Sequence, residues 1–185
     1  MVLESYAERG LDFSRVVSPH GTPRGVNLVD ARGRRFSFFD GRHSPDLRVP
    51  RDFYLPFVER ARHVHMSIMN HNRDMYDDLE RLGVSSSTDL HDWDGEETHH
   101  LDYALRSDLV FLSAAAIRER RARVMRRVLD EGRAHLVVAT DGENGCHVLS
   151  VAGAFACGAH GTHAEFVDPP TLRRLVGAAG GSGVP

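Results

Sequence analysis

The chain has 185 residues, 41% apolar and 26% charged, the profile of one globular domain rather than of a disordered, fibrous or collagen-like chain. Its 23 basic residues are all arginine and its 26 acidic residues outweigh them, so the formal charge of −3 predicts no global pull towards nucleic acid or anionic lipid. The absence of lysine excludes a P-loop and any mechanism in which this chain supplies a catalytic lysine.

In chain order, residues 1–23 read as a helix followed by a loop dense in turn formers, SPHGTPRG. GVNLVD and RRFSFFD, separated by ARG, are spaced as a β-hairpin. GRHSPDLRVP is turn-rich. RDFYLPFVERA is helical, interrupted by Pro56, and HVHMSIM is an apolar strand. NRDMYDDLERLG is a helix with Asn72 as N-cap and Gly83 past its end. VSSSTDL is strand-like, THHLDYALR helical, and SDLVFLS a buried strand. AAAIRERRARVMRRVLDEG is one or two helices ending at Gly132, AHLVVAT is a second buried strand, and CHVLS with VAGAFACG forms a terminal hairpin. No apolar run approaches the ~20 residues of a membrane helix. The early acids of MVLESYAERGLDF predict no signal peptide, and Cys146 and Cys157 suit a reducing, cytoplasmic setting.

Strands alternating with helices over 62–140 predict a largely parallel sheet with helices on both faces, since strands buried on both sides read as continuous apolar runs, as DLVFL and HLVVA do. In such sheets ligands sit at the carboxyl ends of strands. Two candidates lie there. ATDGENG places Thr140, Gly142 and Gly145 at a strand end; the segment reads either as a nucleotide-bordering loop or as a plain turn, because Asp-Gly and Asn-Gly are ordinary turn dipeptides. Asp89 ends VSSSTDL and reads either as a carboxylate facing sugar, phosphate or Mg²⁺, or as a loop or capping residue. His63 and His65 share one strand face and, with Asp89, define a third reading as a Zn²⁺ hydrolase site. The arginine-rich run RERRARVMRR carries Ile117, Val124 and Val128 at helical spacing, which makes its arginines a solvated face rather than an RNA-binding one.

Five segments, collinear over roughly residues 3–150, resemble the ribokinase-like (PfkB family) carbohydrate kinases. LESYAERGLDFSRVV is similar to the family's helix followed by "gVd-t-s-v", and GTPRGVNLVDARGRRFSFF to its "pTg…lvd-x-Ger-f" hairpin. SSSTDLHDW resembles the strand ending in an aspartate, SDLVFLSAAAIRE the "aDvvflNeeEa" element, and HLVVATDGENGCHVLS the "vvvTlG-x-x-Ga-vl" segment.

The resemblance implies a three-layer αβα fold over residues 1–168 with a small β flap at about 24–40, and a Gly-rich tail over 169–185. It implies an ATP-dependent sugar kinase with Mg²⁺. Thr140, Gly142 and Gly145 would border the nucleotide, and Asp89 would lie in the substrate or phosphate region. The partners it implies are sugar and nucleotide, without nucleic acid or membrane, and a homodimer through the flap.

The departures are equally specific. The family's leading strand and Gly-rich sugar region have no match here, and its acidic "N-x-x-E" falls on Ser113 and Ala116. Asp168 is followed by PPTLRRLVGAAGG where the family has its catalytic G-A-G-D. These departures predict a fold incomplete at both ends and impaired transfer, the alternative being a non-catalytic nucleotide- or sugar-binding remnant that dimerises.

Overall fold

The computed structural model describes residues 2–31, 35–151 and 153–157. The tail, with His160, His163 and Asp168, lies outside the described residues. Helix α1 (Val2–Glu8) leads through a loop to an antiparallel two-stranded flap, β1 (Arg24–Val29) with β2 (Arg35–Asp40). Helix α2 (Arg51–Val58) then begins the main body: β3 (His63–Met66), α3 (Met75–Leu82), β4 (Ser85–Asp89), α4 (Thr98–Arg106), β5 (Leu109–Ser113), α5 (Arg121–Glu131), β6 (Leu136–Thr140), β7 (Cys146–Ser150) and β8 (Gly153–Cys157). These strands form one sheet in the order β3-β4-β5-β6-β7-β8. The first four are parallel, and β7 and β8 add an antiparallel edge.

A parallel sheet whose strands follow in chain order, joined by right-handed crossovers, puts every crossover helix on the same face. The burial alternation agrees. Met66, Thr88, Val110, Leu112, Val137 and Ala139 are buried beneath Tyr54, Tyr76, Leu79, Tyr103, Val124 and Val128 of the helices. The other face presents half-buried Leu109, Phe111, Leu136, Val138 and Val148, and beside them the polar set His63, His65, Ser85 and Ser87. The described residues therefore supply the sheet and one helical layer of the three-layer αβα architecture. The core stripe of α5 falls on Val124, Met125 and Val128, leaving Arg123 and Arg126 exposed.

Local details differ from the sequence expectation where tertiary contacts decide. β3 stops at Met66, and Asn72 lies in a short 3₁₀ turn (Asn70–Asn72) rather than capping α3, whose N-cap is Asp74. Gly83 closes α3 in the left-handed conformation (φ 66°), as its position past the helix end predicts. Each large buried ring with a polar atom finds a partner. Trp93 Nε1 donates to the Glu97 carbonyl (2.9 Å), the Tyr103 hydroxyl to the Met69 carbonyl (2.8 Å), and Tyr76 Oη lies 2.6 Å from Ser107 Oγ. Burial pushes the Tyr76 hydroxyl up to about 12.

Helices α2 and α3 are joined by one buried carboxylate. Asp78 is 4% exposed and accepts from Arg51 (Nε to Oδ2 2.8 Å, Nη2 to Oδ1 2.7 Å), from Arg81 (Nη2 to Oδ1 2.7 Å) and from the Tyr54 hydroxyl (2.9 Å). Hydrogen bonds from Arg51 first, then Arg81, hold this carboxyl well below the usual carboxylate range. A depressed folded value means that the stabilisation is present above the unfolded value of about 3.9 and is lost as pH falls through the folded one. Asp78→Asn is expected to lower stability at pH 7 by about 1–3 kcal/mol, towards the lower end because Arg51 and Arg81 are themselves half exposed. It should also flatten the acid limb of a pH–denaturation series below about pH 4. An unchanged acid limb would contradict this role.

Candidate functional site

The carboxyl ends of β4, β5 and β6 are stitched into one edge. Leu90 N donates to the Phe111 carbonyl (2.8 Å), Ser113 N to His91 O (2.7 Å), and Ala114 N to Thr140 O (2.8 Å). The loops leaving these strands therefore start side by side. Asp89 stands at the end of β4, Ser113 at the end of β5 and Thr140, opposite Ser113, at the end of β6.

The turn after β6 is built on backbone that only glycine adopts readily. Asp141 N donates to Gly145 O (2.8 Å), closing a single 3₁₀ turn (Gly142–Asn144). Gly142 has φ 54°, and Gly145, at φ 88° and ψ −129°, occupies a region closed to residues with a Cβ. Thr140, Gly142 and Gly145 thus come together in one exposed turn, with the Thr140 hydroxyl donating back to Leu112 O (3.3 Å). Between this turn and the loop after β5 opens a cleft of about 480 Å³ lined by Ala114, Ala115, Arg118, Glu119, Arg121 and Asp141. Asp141 Oδ2 lies 3.8 Å from both Arg121 Nη1 and His147 Nε2.

Asp89 uses Oδ1 to accept from His91 N (2.8 Å), which holds His91 in the left-handed region at φ 52° and turns the loop away from β4. His63 and His65 do share a face, as predicted, but serines take them up. His63 bridges Ser85 Oγ (3.0 Å) and Ser87 Oγ (2.8 Å), and His65 Nδ1 lies 2.9 Å from Ser87 Oγ. Among the described residues no group of three His, Cys, Asp or Glu side chains is placed to hold a metal ion.

A second cavity, of about 220 Å³, lies at the base of the flap beside the carboxyl end of β3. Its wall combines both stems of the flap with the main body, through Val16, Ser18, His43, Arg48, Phe53 and His71. His43 joins the stems, its Nε2 lying 2.9 Å from the Gly21 carbonyl oxygen, while its Nδ1 is buried without a partner. His71 stacks edge-to-face on His43 at 5.7 Å, and burial, with the neighbouring His43, lowers its pKa.

No protein-family model matches the chain. The chain is 44% identical over 150 residues to acarbose 7(IV)-phosphotransferase of an Actinoplanes species, covering 80% of this chain and 50% of that protein. It superposes on a microbiome-derived acarbose kinase with a TM-score of 0.77 at 36% identity, covering 88% of this chain and 55% of the other. The chain has the ribokinase-like fold. A Giardia lamblia ribokinase shares the fold at 11% identity, with a TM-score of 0.68 over 90% of this chain and 56% of its own. The chain spans about half the length of these relatives.

Within this ribokinase-like frame, two features escaped sequence reasoning. Arg118 and Arg121 sit in a helical arginine run that reads as solvated surface, yet the 3₁₀ turn after β5 aims the run's first residues into the cleft. His43 and His71 lie 28 positions apart in turn-rich sequence that carries no spacing signal. The turn at 140–145 was legible because its glycines follow an apolar strand. Gly145→Ala is expected to cost about 1–3 kcal/mol by forcing a Cβ into this backbone conformation, read as a lowered midpoint in denaturant. A midpoint equal to that of the parent chain would show that the turn does not have this shape.

Proposed function

We propose that this chain carries the acceptor-side and nucleotide-side elements of an ATP-dependent sugar kinase whose acceptor is an acarbose-like oligosaccharide. The observation that carries the reading is the joint occurrence of the 44% identity to an acarbose phosphotransferase and a strand-carboxyl edge with a cavity at each end. The nucleotide lies along the Thr140, Gly142 and Gly145 turn, where the exposed Gly-rich backbone allows close approach. The acceptor lies at the flap base, where aromatic Phe53 and the histidine pair offer an apolar floor with polar edges suited to a sugar. Asp89, on β4, stands between them in the substrate or phosphate region. From β3 to β6 is three strand spacings, about 14 Å, a span that a nucleotide triphosphate and a sugar meeting end to end can fill.

Transfer of the γ-phosphoryl group is mostly positioning and electrostatic stabilisation. The acceptor hydroxyl also needs a base within hydrogen-bond reach, which the family takes from G-A-G-D. The 185 residues hold no such segment. The chain by itself therefore binds both ligands and transfers little or no phosphate. Titration of the purified 185-residue chain should show binding of ATP and of acarbose, with a coupled ADP-release assay near background. Robust turnover would refute the impairment, and failure to bind either ligand would refute the kinase reading.

We further propose that the chain forms a homodimer through its flap. One flap face carries four apolar side chains, Val26 paired with Phe38 and Leu28 with Phe36, with Arg24 opposite Asp40 at its end. All four are more than half exposed. A two-stranded hairpin is marginal unless such a face is covered. Sedimentation should report a dimer that Phe36→Ser with Phe38→Ser converts to a monomer. A parent chain that is monomeric at every concentration would contradict the proposal.

A further inference from the structure

The kinase reading implies a divalent cation beside the transferred phosphate, and the cleft between β5 and β6 offers two acids beside two guanidinium groups. Mg²⁺ is held through one or two carboxylates together with substrate phosphates and waters. Ala116 stands where the family's acid would be. Glu119 and Asp141 are the acids that line the cleft. Two guanidinium groups occupy the remaining ground.

The geometry points to a direct anion clamp: Arg118 and Arg121 grip the polyphosphate of the nucleotide themselves, whether or not a cation accompanies it. Three observations carry this. First, Arg118 has no carboxylate partner among the described residues; its Nε donates to the Ala115 carbonyl (3.2 Å), which fixes the side chain and leaves the two terminal nitrogens of the guanidinium to a ligand. Second, Arg121 is 3.8 Å from Asp141, too far for a hydrogen bond, so its donors are unsaturated by that acid. Third, Arg118 has φ 31°, a value that long non-glycine side chains rarely adopt and that persists where the surroundings impose it, often at ligand clamps. The neighbouring Arg120 is different: it pairs with Glu96 (2.8 Å) and does not line the cleft. Guanidinium forks match phosphate oxygens two at a time, and a pair of them sets positive charge against the polyphosphate. The cleft, at about 480 Å³, has room for a triphosphate.

The inference rests on the kinase reading for the identity of the ligand, and the experiment separates the two. Inorganic tripolyphosphate and ATP are titrated calorimetrically into the 185-residue chain, each with EDTA and with excess Mg²⁺, and into Arg118→Gln, Arg121→Gln and Arg120→Gln, with circular dichroism confirming that each variant is folded. Both ligands should bind in EDTA. Arg118→Gln and Arg121→Gln should each weaken binding about tenfold or more, the loss that removing a charge-assisted hydrogen bond implies. Arg120→Gln should leave binding unchanged. Tripolyphosphate binding as tightly as ATP would uphold the clamp while removing the support for a nucleotide. ATP binding only with Mg²⁺ and indifferent to Arg118→Gln and Arg121→Gln would overturn the clamp and leave the kinase reading standing. No binding of either ligand would overturn both.

Discussion

The parallel pairing of β5 with β6 is the constraint on which the rest of this molecule depends. Val110 and Leu112 on one strand and Val137 and Ala139 on the other are buried side by side under α5, so neither strand can slip by one residue without turning its apolar set to the wrong face. That register fixes Ser113 opposite Thr140. The turn at 141–145 and the turn at 114–120 then have to rise next to each other, and the cleft between them follows from the alignment.

The edge is also graded chemically. Apolar side chains make up β5 and β6, and serines make up most of β4, so the open face changes from apolar to polar across the sheet. His63 and His65 cover buried Ser87 at the polar end. The β5–β6 cleft is mixed in charge, lined by Arg118 and Arg121 together with Glu119 and Asp141, while the flap-base cavity sets Arg15 and Arg48 beside two stacked imidazoles, one of which burial keeps disposed towards its neutral form.

Much of the fold was legible in the sequence because the signals were local. Continuous apolar runs such as LVFLS and LVVAT announce parallel strands, Gly83 announces a helix end, and ATDGENG announces a glycine turn at a strand end. What was not legible is non-local. Asn72 has the chemistry of an N-cap, yet the chain tightens into a 3₁₀ turn there because Val49 N donates to the His71 carbonyl (2.9 Å) and pulls that segment towards the start of α2. The arginine run has the periodicity of a solvated helix face, and from Val124 onward it is one; only the break at Arg118 directs its beginning inward. That the described residues carry their helices on one face likewise depends on strand order, which periodicity does not encode.

The central claim is that donor and acceptor occupy opposite ends of one strand-carboxyl edge. Hydrogen–deuterium exchange of the 185-residue chain, alone and with ATP or acarbose, tests it directly. ATP should slow exchange over residues 114–121 and 140–146 and leave 43–49 and 69–72 unchanged, and acarbose should do the reverse. Protection of the same segment by both ligands, or protection confined to the amino ends of the strands, would contradict it.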